Sequence, residues 1–183
     1  MALTNFPWLG LTFKVAHPKQ HGKANSTSYF CRMQVTYRIV SFAELTVHEL
    51  YAILRLRAEV FVVEQTCYYQ DLDDKDQHAL HLLALVDGVL AGYTRLLDKG
   101  ISYPDYASIG RVVTAPFARG KGLGRPLMQE SIKAIFAHYG EQPLKISAQA
   151  HLQAYYGSVG FIGTGEIYDE DGIPHRAMVY QNK

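Results

Sequence analysis

The sequence predicts one mixed α/β domain over residues 34–183, with a mostly antiparallel sheet flanked by helices. Three observations carry that prediction. Two stretches with a helical apolar period, one after Thr46 and one after Pro126, are separated by strand-like runs. Two Asp-Gly pairs, Asp87-Gly88 and Asp171-Gly172, sit between apolar arms where a two-residue hairpin turn belongs. The composition, 48% hydrophobic and 19% charged over 183 residues, suits one domain with a real core. No internal repeat or low-complexity block interrupts it.

Taken in order, "TYRIVSFAEL" (36–45) reads as a first strand running into a turn. Thr46 and Glu49 then spell a T-x-x-E capping box, with Leu45 and Leu50 placed as its hydrophobic staple. Val47, Leu50, Tyr51, Leu54, Ala58 and Phe61 fall on one helical face, so the spacing predicts a helix ending near 61–64 with that face buried. "CYYQDLDDKDQH" (67–78) is polar, acidic and aromatic, and reads as a loop. "ALHLLALV" and "VLAGYTRLL" form the first hairpin, and "ASIGRVVT" (107–114) is a further strand expected to pair with its second arm. Met128, Ile132, Ile135, Phe136 and Tyr139 mark the second helix, with Pro126 in its first turn and Gly140 at its end. "LKISAQ" (144–149) alternates as a strand, "LQAYYGSVG" is a short helix, and a final hairpin turns at Asp171-Gly172.

Residues 1–33 stand apart. They hold no Asp or Glu, and "VAHPKQHGKANSTSYF" lacks apolar periodicity, so this extension is expected to be disordered or dispensable. It is a poor fit to a signal peptide, having no charged segment followed by an apolar one. The formal net charge of +1 gives no support for nucleic-acid binding. No run of 18 apolar residues predicts a membrane span. Cys31 and Cys67 form no metal-ligand or redox spacing, which fits a reducing compartment and a cytoplasmic location.

The chemistry concentrates in "TAPFARGKGLGRPLM" (114–128). A phosphate loop needs G-x-x-x-x-G-K-[ST], but Ala115 stands five residues before Gly120 and Gly122 follows Lys121. A dinucleotide fingerprint fails as well, because Leu127 stands where the third glycine belongs. What remains is an anion cradle: glycines that let amides approach a ligand, a helix N-terminus behind them, and Arg119, Lys121 and Arg125 around them. From composition alone, a surface turn at a helix start is an equal alternative.

The order of residues adds more. Arg119-Gly120-Lys121-Gly122-Leu123-Gly124 resembles the R/Q-x-x-G-x-G/A pyrophosphate loop of the GNAT N-acetyltransferases, and "YYGSVGF" (155–161) resembles their later Tyr-x-x-x-Gly-Phe signature through Tyr156, Gly160 and Phe161. The front half, "RAEVFVVEQTCYYQDLDDKDQHALHL", is similar to the ElaA-like branch of that family. The resemblance spans residues 36–180. It implies a V-shaped splay between two central strands and acetyl-CoA as co-substrate. It also implies that the loop from Arg119 to Arg125 holds the coenzyme A pyrophosphate, and that the backbone of Val112 and Val113 pairs with the pantetheine arm like an added strand.

Acyl transfer to an amine needs a proton for the departing thiolate, and a tyrosine is suited to supply it. Tyr156 falls at the family's acid position, or else is an ordinary half-buried aromatic. Glu64, just after the first helix, is the candidate base or amine holder, or else a solvated helix-end carboxylate. Asp71, Asp73 and Asp74, with Asp76, are candidates for an acidic lip around a cationic acceptor, or simply a charged loop. His78 and His81 lack further ligands, and the acidic run fails the calcium-loop spacing, so no metal is expected. His151 is read as structural. The alternatives are an acyl-homoserine-lactone synthase-like enzyme, which shares the fold and the acidic front loop, and a non-catalytic acyl-CoA-binding module. The amine acceptor is left open, as is the choice between monomer and homodimer.

Overall fold

A computed structural model describes residues 34–181, so the extension over residues 1–33, expected to be dispensable, lies outside the described residues. Strands β1 (Val35–Ser41), β2 (Leu80–Val86), β3 (Val89–Leu97) and β4 (Ser108–Thr114) form an antiparallel sheet in the order β1-β2-β3-β4. Strands β5 (Lys145–Gln149), β6 (Phe161–Glu170) and β7 (Ile173–Tyr180) form a second, in the order β5-β7-β6. Both Asp-Gly hairpins form where expected. Asp87 and Gly88 take φ of 50° and 77°, and Asp171 and Gly172 take 54° and 80°, the paired left-handed geometry of a type I′ turn.

Among the described residues, the backbones of the two sheets are joined by one parallel bridge, between Ala107 and Leu144. There the Ala107 amide donates to the Pro143 carbonyl at 3.0 Å and the Lys145 amide to the Ala107 carbonyl at 2.9 Å. Beyond it, β4 and β5 share no ladder and splay apart, leaving the outer edge of β4 without a strand partner among the described residues.

Helix α1 (Val47–Arg57) is capped as the sequence predicts. Thr46 Oγ1 accepts from the Glu49 amide at 3.2 Å, and Glu49 Oε2 accepts from the Thr46 amide at 2.9 Å. The chain then widens into a π-helical stretch, Ala58–Glu64, ending where the spacing put the helix end. The buried face differs from the expected one. Val47 is 81% and Tyr51 70% exposed, whereas Ile53, Leu56, Arg57 and Val60 turn inward. The physical reason is Arg57: a buried cation interrupts the true apolar stripe, so a count of apolar residues alone selects the neighbouring one. Ile53, Leu56 and Val60 pack with Leu83, Tyr93, Val113 and Ala115 on one face of the first sheet.

Helix α2 (Gly124–Tyr139) covers the other face with Leu127, Met128, Ile132 and Ile135, against Leu82, Leu96 and Ile109 and, from the second sheet, Ile146. Strands covered on both faces read as continuous apolar runs, which is why "LHLLALV" shows no alternation. A short helix α3 (Gln153–Gly157) leads into β6.

Candidate active site

The site begins at a β-bulge. Opposite β3, Gly110 faces Arg95 and Val113 faces Tyr93, so Arg111 and Val112 together oppose Thr94. Arg111 takes φ of +49°, a left-handed conformation that costs an ordinary residue free energy and is held by its surroundings. Its Nε donates to Asp71 Oδ1 at 2.7 Å and its Nη2 to the Asp71 carbonyl at 2.9 Å. The bulge breaks alternation, so Gly110, Arg111 and Val112 all line one cavity while Val113 is buried in the core. Val112 and Val113 therefore lie on the strand whose outer edge is free.

That cavity, about 530 Å³, fills the splay. Ile109 and Val112 of β4, Ile146 and Ser147 of β5, and Tyr156 of α3 contribute to its wall. Tyr156 is 8% exposed. Its ring meets Tyr155 edge-on at 4.9 Å and Phe161 at 6.3 Å, and no side chain or backbone group among the described residues hydrogen-bonds its hydroxyl. Burial, with a smaller contribution from Tyr155, pushes its pKa up, so the phenol stays protonated. Gly160 of the same signature has φ of +103°, and a Cβ there would come within 2.6 Å of the Tyr180 ring.

The glycine loop joins β4 to α2. Gly120 and Gly122 take φ of +71° and +78°, and added Cβ atoms would meet nothing, so these glycines serve the turn and leave the space above it clear. At Gly124 a Cβ would press on the Tyr155 hydroxyl at 3.1 Å. Leu123 is buried and makes no side-chain cap, and the first turn of α2 holds no acidic residue, so its leading amides stay open to an anion. Lys121 is exposed, and Arg125 donates from Nη1 to the Ser158 carbonyl at 3.1 Å.

Arg119 and Glu64, expected in different roles, are joined. Arg119 Nη1 and Nη2 donate to the two Glu64 oxygens at 2.7 and 2.9 Å. That hydrogen-bonded pairing, with the Arg119 charge, holds the Glu64 carboxyl below its usual range.

The acidic loop folds inward. Arg57, fully buried, donates from Nε to Asp71 at 2.8 Å and from Nη1 to both Asp76 oxygens at 2.9 and 3.0 Å. Arg95 binds Asp73 through two nitrogens and Asp76 through one. Burial pushes the Asp73 carboxyl up, but hydrogen bonds and charge from Arg95, and charge from Arg111, outweigh it and hold the group well below the usual range. Asp71 and Asp73 thus have their oxygens engaged by arginines and by Tyr69, while Asp74 is exposed at φ of +57° and does not line the cavity.

Residues 43–182 match the model of the acetyltransferase (GNAT) domain. The chain belongs to the GNAT family. Protein ElaA of Escherichia coli is 40% identical to this GNAT chain over 146 residues, covering 79% of it and 95% of ElaA. The crystal structure of E. coli ElaA superposes with a TM-score of 0.74 at 38% identity, covering 80% of this chain and 99% of that one. An acyl-CoA N-acyltransferase from Pseudomonas aeruginosa superposes with a TM-score of 0.76 at 46% identity, covering 81% and 100%. The resemblance read from the loop, the Tyr156 signature and the front half is borne out, down to its ElaA-like branch. As a GNAT protein the chain is an acyltransferase fold whose family uses acyl-CoA as co-substrate. Among the described residues no helix is long and apolar enough to cross a membrane.

Sequence reasoning passed over Arg111, Ser147 and Glu170 in this GNAT site. Gly110, isolated inside a strand pattern, was the signal for the bulge that turns Arg111 into the cavity. Ser147 and Glu170 carry no signal in a single sequence, because their meeting across 23 residues depends on strand register.

Proposed function

We propose that this protein moves an acetyl group from acetyl-CoA directly to a primary amine, with Tyr156 as general acid. One observation carries the reading: the hydroxyl of a buried tyrosine, without a hydrogen-bond partner among the described residues, belongs to a side chain lining the same cavity as the free edge of β4. The pantetheine arm pairs with that edge at Val112 and Val113, and the amides from Arg119 to Arg125 take the pyrophosphate. The amine nitrogen attacks the thioester carbonyl carbon, a C–N bond forms, and the C–S bond breaks. The departing thiolate takes the Tyr156 proton. Glu64 in this reading steadies Arg119, since a carboxyl held below its usual range by that pairing is a weak base.

Thiol release with an amine panel tests the reading. Tyr156→Phe is expected to slow turnover by about 10²-fold or more, the size of a lost general acid, and to leave acetyl-CoA affinity within about twofold. Equal turnover in the variant would reject Tyr156 as the acid. Thiol release that no amine accelerates would favour a binding module.

A further inference from the structure

The cavity is charged differently on its two sides. On the side of β3, β4 and the acidic loop, the cations Arg57, Lys75, Arg95 and Arg111 surround the carboxylates of Asp71, Asp73 and Asp76. The three carboxylates are consumed by three of those cations, leaving one positive charge in excess. The donors still available are placed on the cavity wall. Arg111, with 21% of its side chain exposed, uses Nε and Nη2 on Asp71 and Asp73, and its Nη1 has no partner among the described residues. Lys75 lines the same cavity, and the one partner of its Nζ among the described residues is the Ser102 hydroxyl, at 3.5 Å.

The lining contributed by the second sheet carries the other sign. Glu170, at the end of β6, lines the cavity with Asp171 and Ser147. Glu170 Oε2 accepts from the Ser147 hydroxyl, whose oxygen also meets the Tyr168 hydroxyl at 2.6 Å. These contacts fix the carboxylate, and its Oε1 keeps no partner among the described residues. No lysine or arginine belongs to this wall among the cavity-lining residues.

From this arrangement we infer that the acceptor is a small primary amine that also carries a carboxylate, its carboxylate held by Arg111 and Lys75 and its amine by Glu170. The inference rests on the transferase reading above. A ligand with both charges pairs each of the two open sites, whereas a purely cationic amine would leave Arg111 Nη1 and Lys75 unanswered inside a partly desolvated cavity. The proton balance closes as well. An ammonium group loses two protons on becoming an amide: one compensates for the proton that Tyr156 gives to sulfur, and the other leaves through Glu170 to water.

Matched pairs of acceptors, each amino acid beside the amine lacking only its carboxylate, test the idea by thiol release. Phenylalanine with phenethylamine and 4-aminobutyrate with propylamine span a short and a long separation of the charges. The carboxylated member of at least one pair is expected to have the higher kcat/KM by about tenfold or more, the size of a charged hydrogen bond. Lys75→Gln, which leaves the buried ion pairs intact, should erase much of that preference and leave the KM for acetyl-CoA within about twofold. Glu170→Gln should lower kcat/KM for both members alike. Equal use of each pair, preference for the plain amines, or an undiminished preference in Lys75→Gln would overturn the inference. So would failure of every acceptor while acetyl-CoA binds by calorimetry, which leaves the donor site standing. Absence of acetyl-CoA binding would remove the transferase reading itself, and this inference with it.

Discussion

His81 is 1% exposed on β2 and uses both ring nitrogens. Nε2 lies 3.0 Å from the Asp76 carbonyl and Nδ1 lies 2.8 Å from the Tyr93 hydroxyl. A carbonyl only accepts, so Nε2 carries the proton and Nδ1 accepts from Tyr93. Burial depresses the His81 pKa, more than the contact with Asp76 raises it, so the ring is neutral in the folded protein. The unfolded chain takes a proton near pH 6.5 that the folded chain refuses. Stability contributed by the neutral ring is therefore full above that pH and is lost as pH falls toward the depressed folded value, by up to about 1.4 kcal/mol per pH unit. Thermal melts from pH 7.5 to 5 are expected to show this loss, and His81→Gln should flatten it; an unchanged slope would assign the effect elsewhere. The lowered carboxyls of Asp73 and Asp76 act only at more acid pH, below their ordinary range, so the two effects separate. At this scale the sequence exposed residue types but not partners. Four aspartates between 71 and 76 were visible, whereas the arginines that bind Asp71, Asp73 and Asp76 stand 14 to 40 positions away.

Helix α1 separates what local sequence encodes from what tertiary contact decides. The capping box depends on four consecutive residues and formed as read. The buried face depends on what α1 lies against, and there the apolar count chose Val47 and Tyr51 over Ile53 and Leu56. The difference has a measurable consequence. Tyr51→Ala is expected to change stability by no more than about 0.5 kcal/mol, as for a surface side chain, while Ile53→Ala should cost about 2–5 kcal/mol. Chemical denaturation of the two variants checks the assignment, and similar losses in both would contradict it. Strand β4 teaches the same lesson. Its apolar residues predicted a strand, yet the bulge that gives Arg111 and Val112 to the cavity arises from pairing with β3. The glycine loop was the opposite case: its φ angles are demanded locally, so its residue order carried the family resemblance that the domain match then bore out.

At the scale of the molecule, the two sheets are stitched at Ala107 and Leu144 and by the core under α2, and they part along the cavity. The splay was legible only through family resemblance, because no periodicity reports where two neighbouring strands fail to pair. It has a thermodynamic consequence. A donor that pairs with β4, fills the gap toward β5 and caps the amides of α2 contacts all three elements in the folded state only. Such a ligand stabilises by RT ln(1 + [L]/Kd), about 2.7 kcal/mol at a hundred times Kd. For a domain of this size that corresponds to a rise in Tm of roughly 5–10 °C. Acetyl-CoA is expected to produce it in the parent protein. Gly122→Glu, which sets a carboxylate where the pyrophosphate would lie and a side chain where φ is +78°, should lower the starting Tm and abolish most of the ligand-induced rise. Differential scanning calorimetry with and without acetyl-CoA reads both effects. An equal rise in parent and variant would mean that the donor binds away from the glycine loop.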